Sequence, residues 1–187
     1  MGFIGRWLGD FVRLALALAL AVAAMQLPAL SGSYTAALLQ IAEDGRRDIE
    51  ARKALARQYY ELPDTGDQTV IEALRPREPS NAQGLALSVE REGRMRGTYE
   101  RLQQTPALLR PVDALWDALS DGQGDKRAVL RTAVATHEPS LILGTAAATY
   151  GLVGLLLGVL LAEALLTLLR ALLGGMFRRR PRRQAAV

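Results

Sequence analysis

"GTAAATYGLVGLLLGVLLAEALLTLLR", Gly144–Arg170, is the stretch that decides the fold of this chain. It runs for nineteen residues without a charged side chain before it reaches Glu163. Residues 141–162 together supply 22 uncharged positions, and the hydrocarbon core of a bilayer, about 30 Å thick, needs roughly 20 helical residues. A soluble helix of this length would be expected to show a polar face. The pattern therefore predicts a transmembrane helix, which we place at residues 139–169.

A second apolar run, "LALALALAVAAM", covers Leu14–Met25. It is short for a span, but it lengthens to residues 11–30 if the neighbouring apolar residues join it and Arg13 extends its side chain to the interface. The alternative is a cleaved signal peptide, because basic residues precede the run and the small residues Ala21 and Ala23 lie near its end. We favour the uncleaved transmembrane helix and keep both interpretations open.

Charge is segregated along the chain, and this predicts its orientation. The two ends hold eight arginines against Asp10 and Glu163, whereas residues 31–138 hold fifteen basic and seventeen acidic residues. Basic flanks of membrane helices stay in the cytoplasm. We therefore expect a bacterial inner-membrane protein with residues 1–10 and 170–187 in the cytoplasm and residues 31–138 in the periplasm. The arginines expected to fix this topology, and at the tail to contact anionic lipid headgroups, are Arg6, Arg13, Arg178, Arg179, Arg180, Arg182 and Arg183.

The extramembrane part is helical throughout by its apolar spacing. We predict long helices at about 33–62 and 81–105, with Ser31 or Ser33 as a cap, and shorter helices at about 107–120 and 125–137. The segment between the long helices, with three prolines after Leu62, is predicted to be a turn. Further packing surface is expected from five apolar residues of the third helix: Leu109, Val112, Leu115, Trp116 and Leu119. The predicted fold class is an all-α membrane protein, in which two transmembrane helices flank an extramembrane helical hairpin or small bundle.

Small residues follow one face of the second membrane segment at steps of three or four. These are Gly144, Ala147, Gly151, Gly154, Gly158 and Ala162. Small residues allow the backbones of membrane helices to approach closely. The first segment offers two alanine rows that could meet this face, either Ala15, Ala19 and Ala23 or Ala17, Ala21 and Ala24. The face predicts packing of the two spans within one chain, or else association with another copy or with a partner's helix.

Glu163 is an ionisable residue close to a membrane segment, and such residues are candidates for functional sites. If the span begins at residue 141, Glu163 is its twenty-third residue, roughly 33 Å along the helix. This depth favours a glutamate near the cytoplasmic interface, where Arg170 could attract it. The alternatives are a residue that contacts a neighbouring helix or partner, and a proton or ion site.

Catalytic, cofactor and metal sites are not expected anywhere in the chain. There is no cysteine, and His137 stands beside Glu138 at a predicted exposed helix end as the one histidine, which is too few ligands for a zinc site. No phosphate loop or dinucleotide fingerprint is present. The "RRRPRR" run lies beside a predicted span, so we interpret it as a topology signal and expect no binding of nucleic acid.

Three segments carry a resemblance to a known family: "QLPALSGSYTAALL", "LLRPVDALWDAL" and "YGLVGLLLGVLL". The chain resembles an uncharacterised family of short proteobacterial inner-membrane proteins, a domain of unknown function. The resemblance implies two membrane segments flanking a helical region outside the cytoplasm, and it assigns no functional residues.

From these patterns we expect a non-enzymatic membrane protein that serves as a scaffold or accessory subunit of a membrane assembly. Its partner would be another protein or a second copy of the chain. The alternatives are an oligomeric conduit for a small solute or proton that uses Glu163, and a membrane organiser that binds anionic lipid through its arginine tail.

Overall fold

The computed structural model describes residues 2–62, 66–138 and 144–177. Within these ranges the chain is helical and contains no strand. The helices in chain order are α1 (Gly2–Met25), α2 (Leu27–Tyr60), α3 (Asp67–Leu74), α4 (Pro79–Gln104), α5 (Arg110–Ser120), α6 (Asp125–Ala135) and α7 (Thr145–Phe177). They form two compact units, one of Met1–Leu27 with Ser140–Val187 and the other of Pro28–Pro139.

The first unit consists of α1 and α7 packed against each other. Two helical stretches of the chain, one near the N-terminus and one within α7, are long and apolar enough to cross a membrane. Most of their large apolar side chains are exposed, among them Phe11, Leu14, Leu156 and Leu160. Contiguous apolar surface of this extent is rare on soluble proteins but suits a lipid environment.

The helix is interrupted at Gln26, inside the first predicted span of residues 11–30. α1 ends at Met25, and α2 begins at Leu27 with Pro28 in its first turn. Proline has no N–H to donate and is therefore tolerated at the start of a helix. At the other end of the chain, α7 continues beyond residue 169 to Phe177, while residues 139–143 of the predicted span lie outside the described residues.

The second unit has two buried clusters of apolar side chains. The first cluster joins α2, α4, α5 and α6 through Tyr34, Leu38, Ala42, Met95, Leu102, Ala114, Ala118, Val129 and Ala133. The second joins α2, α3 and α4 through Ile49, Ala56, Val70, Ile71, Leu74, Ala82 and Leu85. The first cluster contains Tyr34 and Ala133, which are close to the two ends of this unit in the chain. We call the side of the first cluster the terminal end and the side of the second cluster the far end.

The helix α3 lies where the sequence predicted only a turn. Prolines 63, 76 and 79 bracket the segment and favoured that interpretation. Between them, Val70, Ile71 and Leu74 bury one apolar face in the second cluster, and Asp67 in the first turn is favourable next to the helix N-terminus. Tertiary burial therefore makes an eight-residue helix stable that has little intrinsic tendency to form.

Ser31 and Ser33 are not caps, because α2 begins four residues before the first of them. Their hydroxyls donate to the carbonyls of Pro28 at 2.8 Å and Ala29 at 3.3 Å. Serine hydroxyls inside a helix commonly bond to carbonyls of the preceding turn in this way.

Candidate interaction sites

The glycines of α7 lie directly against the backbone of α1. A Cβ atom added to Gly154 would be 2.6 Å from the carbonyl oxygen of Leu20, and one added to Gly158 would be 2.6 Å from Cα of Ala17. Nearer the start of α7, a Cβ on Gly151 would collide with the side chain of Met25. Because higher residue numbers on α7 meet lower numbers on α1, the two helices are antiparallel.

The small-residue face of α7 is thus occupied within the chain over most of its predicted length. Ala147 and Ala162 are buried, as are the three glycines between them. Gly144 does not take part, because it is exposed, precedes α7 and has open space around it.

On α1, the alanines that face α7 belong to the second of the two possible rows. Ala17 and Ala21 lie against Gly158 and Gly154, and the Cβ of Ala24 also approaches Gly154. The exposed row is Ala15, Ala19 and Ala23. Spacing alone did not distinguish the rows because both repeat at helical steps, but Arg13 continues only the Ala17 row and could have identified it.

Glu163 forms an ion pair with α1. Its Oε1 lies 2.5 Å from a guanidinium nitrogen of Arg13, and Arg13 also contacts Asp10 at 2.8 Å. The side chains of Arg13 and Glu163 are 33% and 48% exposed. Glu163 therefore contacts the neighbouring helix through Arg13, and the side chain of Arg170 is not among those that the structure describes.

The remaining predicted topology arginines lie near the two ends of the chain. Arg6 lies in α1, and Arg178, Arg179, Arg180, Arg182 and Arg183 lie outside the described residues.

A buried carboxylate connects four helices at the terminal end of the second unit. Asp117 of α5 accepts hydrogen bonds from the Tyr34 hydroxyl of α2 at 3.2 Å and from the Lys126 ammonium of α6 at 2.9 Å. It also pairs with Arg101 of α4. Burial, together with the charge of Asp117, raises the pKa of Tyr34 far above its usual range. Two cations and a hydroxyl compensate for the burial of Asp117, as a buried charge requires.

A second buried charge holds α3 onto α2 at the far end. The Lys53 ammonium, whose side chain is 4% exposed, donates to Asp67 at 2.6 Å and to Glu50 at 3.1 Å. Arg46 contacts the other carboxylate oxygen of Asp67 at 2.7 Å. Burial alone would lower the pKa of Lys53, but its hydrogen bonds to Asp67 and Glu50 raise the pKa overall. Both charged clusters are satisfied, which indicates a structural role.

The orientation of α5 is the reverse of the predicted one. The five apolar residues expected to pack inward are all exposed, namely Leu109, Val112, Leu115, Trp116 and Leu119, and we call them the α5 stripe. The residues that α5 buries are Pro111, Ala114, Asp117 and Ala118. Because Asp117 must reach its cationic partners, the opposite face of the helix, with the large side chains, points outward.

A groove lies at the far end of the second unit, beside two exposed side chains of α2. Tyr59 is 79% exposed, and Leu55 is exposed one turn before it. The groove has a volume of about 310 Å³, and its walls also include Arg52, Tyr60, Glu78 and Asn81. Tyr60 donates to Glu78 and stacks with the guanidinium of Arg77 at 5.2 Å, so that one wall is held in place.

The described part of the chain groups no three His, Asp or Glu side chains that could hold a metal ion. His137 and Glu138 follow the end of α6, and they are half-buried and exposed, respectively.

Comparison with known proteins identifies a family but no characterised relative. The family described as "Protein of unknown function (DUF2937)" matches residues 8–175. No curated protein and no solved structure matches the chain.

Proposed function

We propose that this chain, which belongs to the DUF2937 family of unknown function, is a non-enzymatic scaffold or accessory subunit of a membrane assembly. In this proposal α1 and α7 form a two-helix anchor in a bacterial inner membrane. The second unit is a periplasmic helical hairpin, built on α2 and α4, that presents its far end to a partner protein. The excess of arginine at both ends of the chain supports cytoplasmic termini.

The packing of α1 on α7 supports an anchor that is complete within one chain. The glycine face that would otherwise be available to a partner's helix is covered by Ala17, Ala21 and Leu20. The Arg13–Glu163 pair adds a polar contact between the same two helices. Recognition of another protein therefore falls to the second unit in this proposal.

The single observation that carries the proposal is the exposed Tyr59 beside the far-end groove. Tyrosine and arginine are enriched among the residues that contribute most to binding energy at protein interfaces, and Tyr59 stands next to Arg52. Tyrosine also loses little conformational entropy when it is immobilised. A ring that is 79% exposed beside a preformed groove is thus suited to insertion into, or coverage by, a partner protein.

Site-specific photocrosslinking in native membranes tests this proposal. A benzoylphenylalanine at position 59 should give a discrete adduct with another protein, identified by mass spectrometry. The matched control is position 58, because Gln58 is exposed but does not line the groove. Leu55→Asp should abolish the adduct. Identical adducts at positions 58 and 59, or only uncrosslinked monomer at both, would contradict the proposal.

A further inference from the structure

The α5 stripe is an apolar face that the described residues of the second unit leave at least half exposed at every one of its five positions. Its members follow helical spacing along the whole length of α5, and Trp116 at its centre is 73% exposed. The buried face of α5 is fixed by Asp117, which contacts Arg101, Lys126 and Tyr34. The helix therefore cannot rotate to bury the stripe without leaving a carboxylate and two cations unpaired.

We propose that the α5 stripe inserts into the interface of the lipid bilayer that holds the two candidate spans. An amphipathic helix with tryptophan and leucine on its apolar face is suited to lie in the plane of the headgroup region. This inference rests on the proposed function in one respect, namely that α1 and α7 are embedded in a membrane.

Charge at the ends of the stripe complements lipid phosphate. Arg110 begins α5 and donates to the carbonyls of Gln103 and Thr105, and Arg127 donates to the carbonyl of Leu119 at the other end. Neither guanidinium has a carboxylate partner among the ion pairs of the described residues. Arginines at both ends of the apolar stripe can therefore contact phosphate groups while the stripe enters the apolar layer.

The nearby acids do not reverse this charge. Asp117 is buried and paired with two cations. Asp113 accepts a hydrogen bond from Thr105, and Asp121 accepts one from the backbone of Lys126. Arg101, Arg110, Lys126 and Arg127 together outnumber Asp113, Asp117 and Asp121 by one, so the groups around the stripe carry a net charge of +1.

Within the second unit, α5 lies close to the residues at which the unit begins and ends. Tyr34, which contacts Asp117, follows the start of the unit at Pro28 by only six residues, about 9 Å of helix. In the same buried cluster, α6 ends at Ala135, shortly before the unit ends at Pro139. The stripe therefore belongs to the terminal end of the unit.

The size of the stripe favours lipid over a second copy. α5 has 11 residues and is therefore about 16 Å long. One face of so short a helix falls below the roughly 800 Å² that each partner contributes to a stable protein interface. Insertion into a bilayer has no such minimum, because the spans already hold the chain at the membrane.

Fluorescence of Trp116 in full-length protein tests the proposal. The chain has two tryptophans, so Trp7→Phe leaves Trp116 as the sole emitter. The protein is reconstituted into phosphatidylcholine vesicles with and without phosphatidylglycerol, using lipids brominated near the headgroup end of the acyl chains. We expect blue-shifted emission and loss of about half of it to the brominated lipid, because such faces lie roughly 5–10 Å into the boundary.

Three variants sharpen the result. Val112→Asp with Leu115→Asp should abolish quenching by brominated lipid without changing the helical circular dichroism, because both side chains are exposed. Arg110→Gln with Arg127→Gln should remove any increase in quenching that phosphatidylglycerol causes. The matched control is a tryptophan at Leu87, an exposed residue of α4, in a Trp7→Phe, Trp116→Phe background, which should stay accessible to acrylamide.

Three outcomes would overturn the inference. If the protein floats with the vesicles but Trp116 is quenched by acrylamide and not by brominated lipid, the stripe does not enter the bilayer, and the proposed function stands. Shielding of Trp116 from both quenchers that increases with protein concentration would show self-association instead. If the protein does not float with vesicles at all, both the inference and the proposed membrane anchor fail.

Discussion

At the scale of single residues, the Arg13–Glu163 pair distinguishes two roles for Glu163, a contact between helices and a site in a conduit. If Glu163 holds two helices together, Glu163→Gln should lower the free energy of unfolding in detergent by at most about 1 kcal/mol, because both side chains are half-exposed. Thermal unfolding of the purified protein measures this change.

The reversed pair provides the control for that prediction. Glu163→Arg places two cations together and should destabilise the protein more than Glu163→Gln does, and Arg13→Glu in the same chain should restore stability. A conduit would behave differently, since Glu163→Gln would abolish its function while leaving stability unchanged.

Replacing glycine with alanine should have opposite effects on stability at Gly158 of α7 and at Gly97 of α4. Gly158→Ala should destabilise the protein by about 2 kcal/mol because its Cβ would lie 2.6 Å from the backbone of α1. Gly97→Ala in α4 should instead stabilise it by up to about 1 kcal/mol, since nothing lies within 4 Å and alanine favours the helix. Melting temperatures of the two variants in the same detergent test the contrast, and a stabilising Gly158→Ala would contradict close packing.

The contacts between α1 and α7 were predictable from the sequence only in part. Glycines at steps of three or four on α7 indicated a packing face, and the structure brings Gly151, Gly154 and Gly158 against α1. The choice between the two alanine rows of α1 depended on a contact distant in sequence, that of Arg13 with Glu163. Local spacing shows that Arg13 continues the Ala17 row, but it does not show that Arg13 pairs with Glu163.

At the scale of elements, α3 depends on one carboxylate. Asp67→Asn would leave the buried Lys53 without its closest partner, and we expect a loss of about 3 kcal/mol of stability. Thermal unfolding monitored by circular dichroism measures the loss. Asp44→Asn is the matched control, because Asp44 pairs with Arg47 on the exposed surface.

The same carboxylate predicts how stability depends on pH. Burial alone would raise the pKa of Asp67, but hydrogen bonds from Lys53 and Arg46 lower it overall. Its contribution to stability is therefore fully present above the ordinary pKa of 3.8 and is lost as the pH falls below that value. Melting temperatures should fall more steeply between pH 5 and pH 3 in the parent protein than in Asp67→Asn, and equal slopes would contradict the prediction.

The α5 stripe shows what periodicity can and cannot predict about an element. The spacing of Val112, Leu115 and Leu119 predicted an amphipathic helix, and α5 is one. The expected direction of its apolar face was wrong because one buried acid, Asp117, binds two cations contributed by other helices. Burial of a charge with partners overrides the usual rule that apolar faces turn inward.

At the scale of the whole molecule, topology is the prediction to test first. The absence of native cysteines allows single cysteines to be introduced at Gly66 and Ala185. With cytoplasmic termini, a membrane-impermeant maleimide should label position 66 in intact spheroplasts and position 185 only after permeabilisation. The reverse labelling pattern would show the opposite orientation. Labelling of both positions in intact spheroplasts would contradict any topology that places the two positions on opposite sides of the membrane.

The family and the helical class were predictable from the sequence because they depend on features that are local along the chain. The apolar run in Gly144–Arg170 carries the helical prediction, and the family match over residues 8–175 includes the three segments on which the resemblance was based. The separation of the second unit into two buried clusters was not predictable, since Tyr34 meets Asp117 across 83 positions of sequence.

The close fit of α1 against α7 has a consequence for maturation. In the proposed membrane anchor, a peptidase that cleaved after Ala23 would remove Ala17, Leu20 and Ala21 and leave the glycines of α7 uncovered. A groove lined by exposed backbone could then bind a helix from another molecule or be recognised by a quality-control protease. Under the proposed function, retention of the first helix would thus determine whether the protein is monomeric or oligomeric in the bilayer.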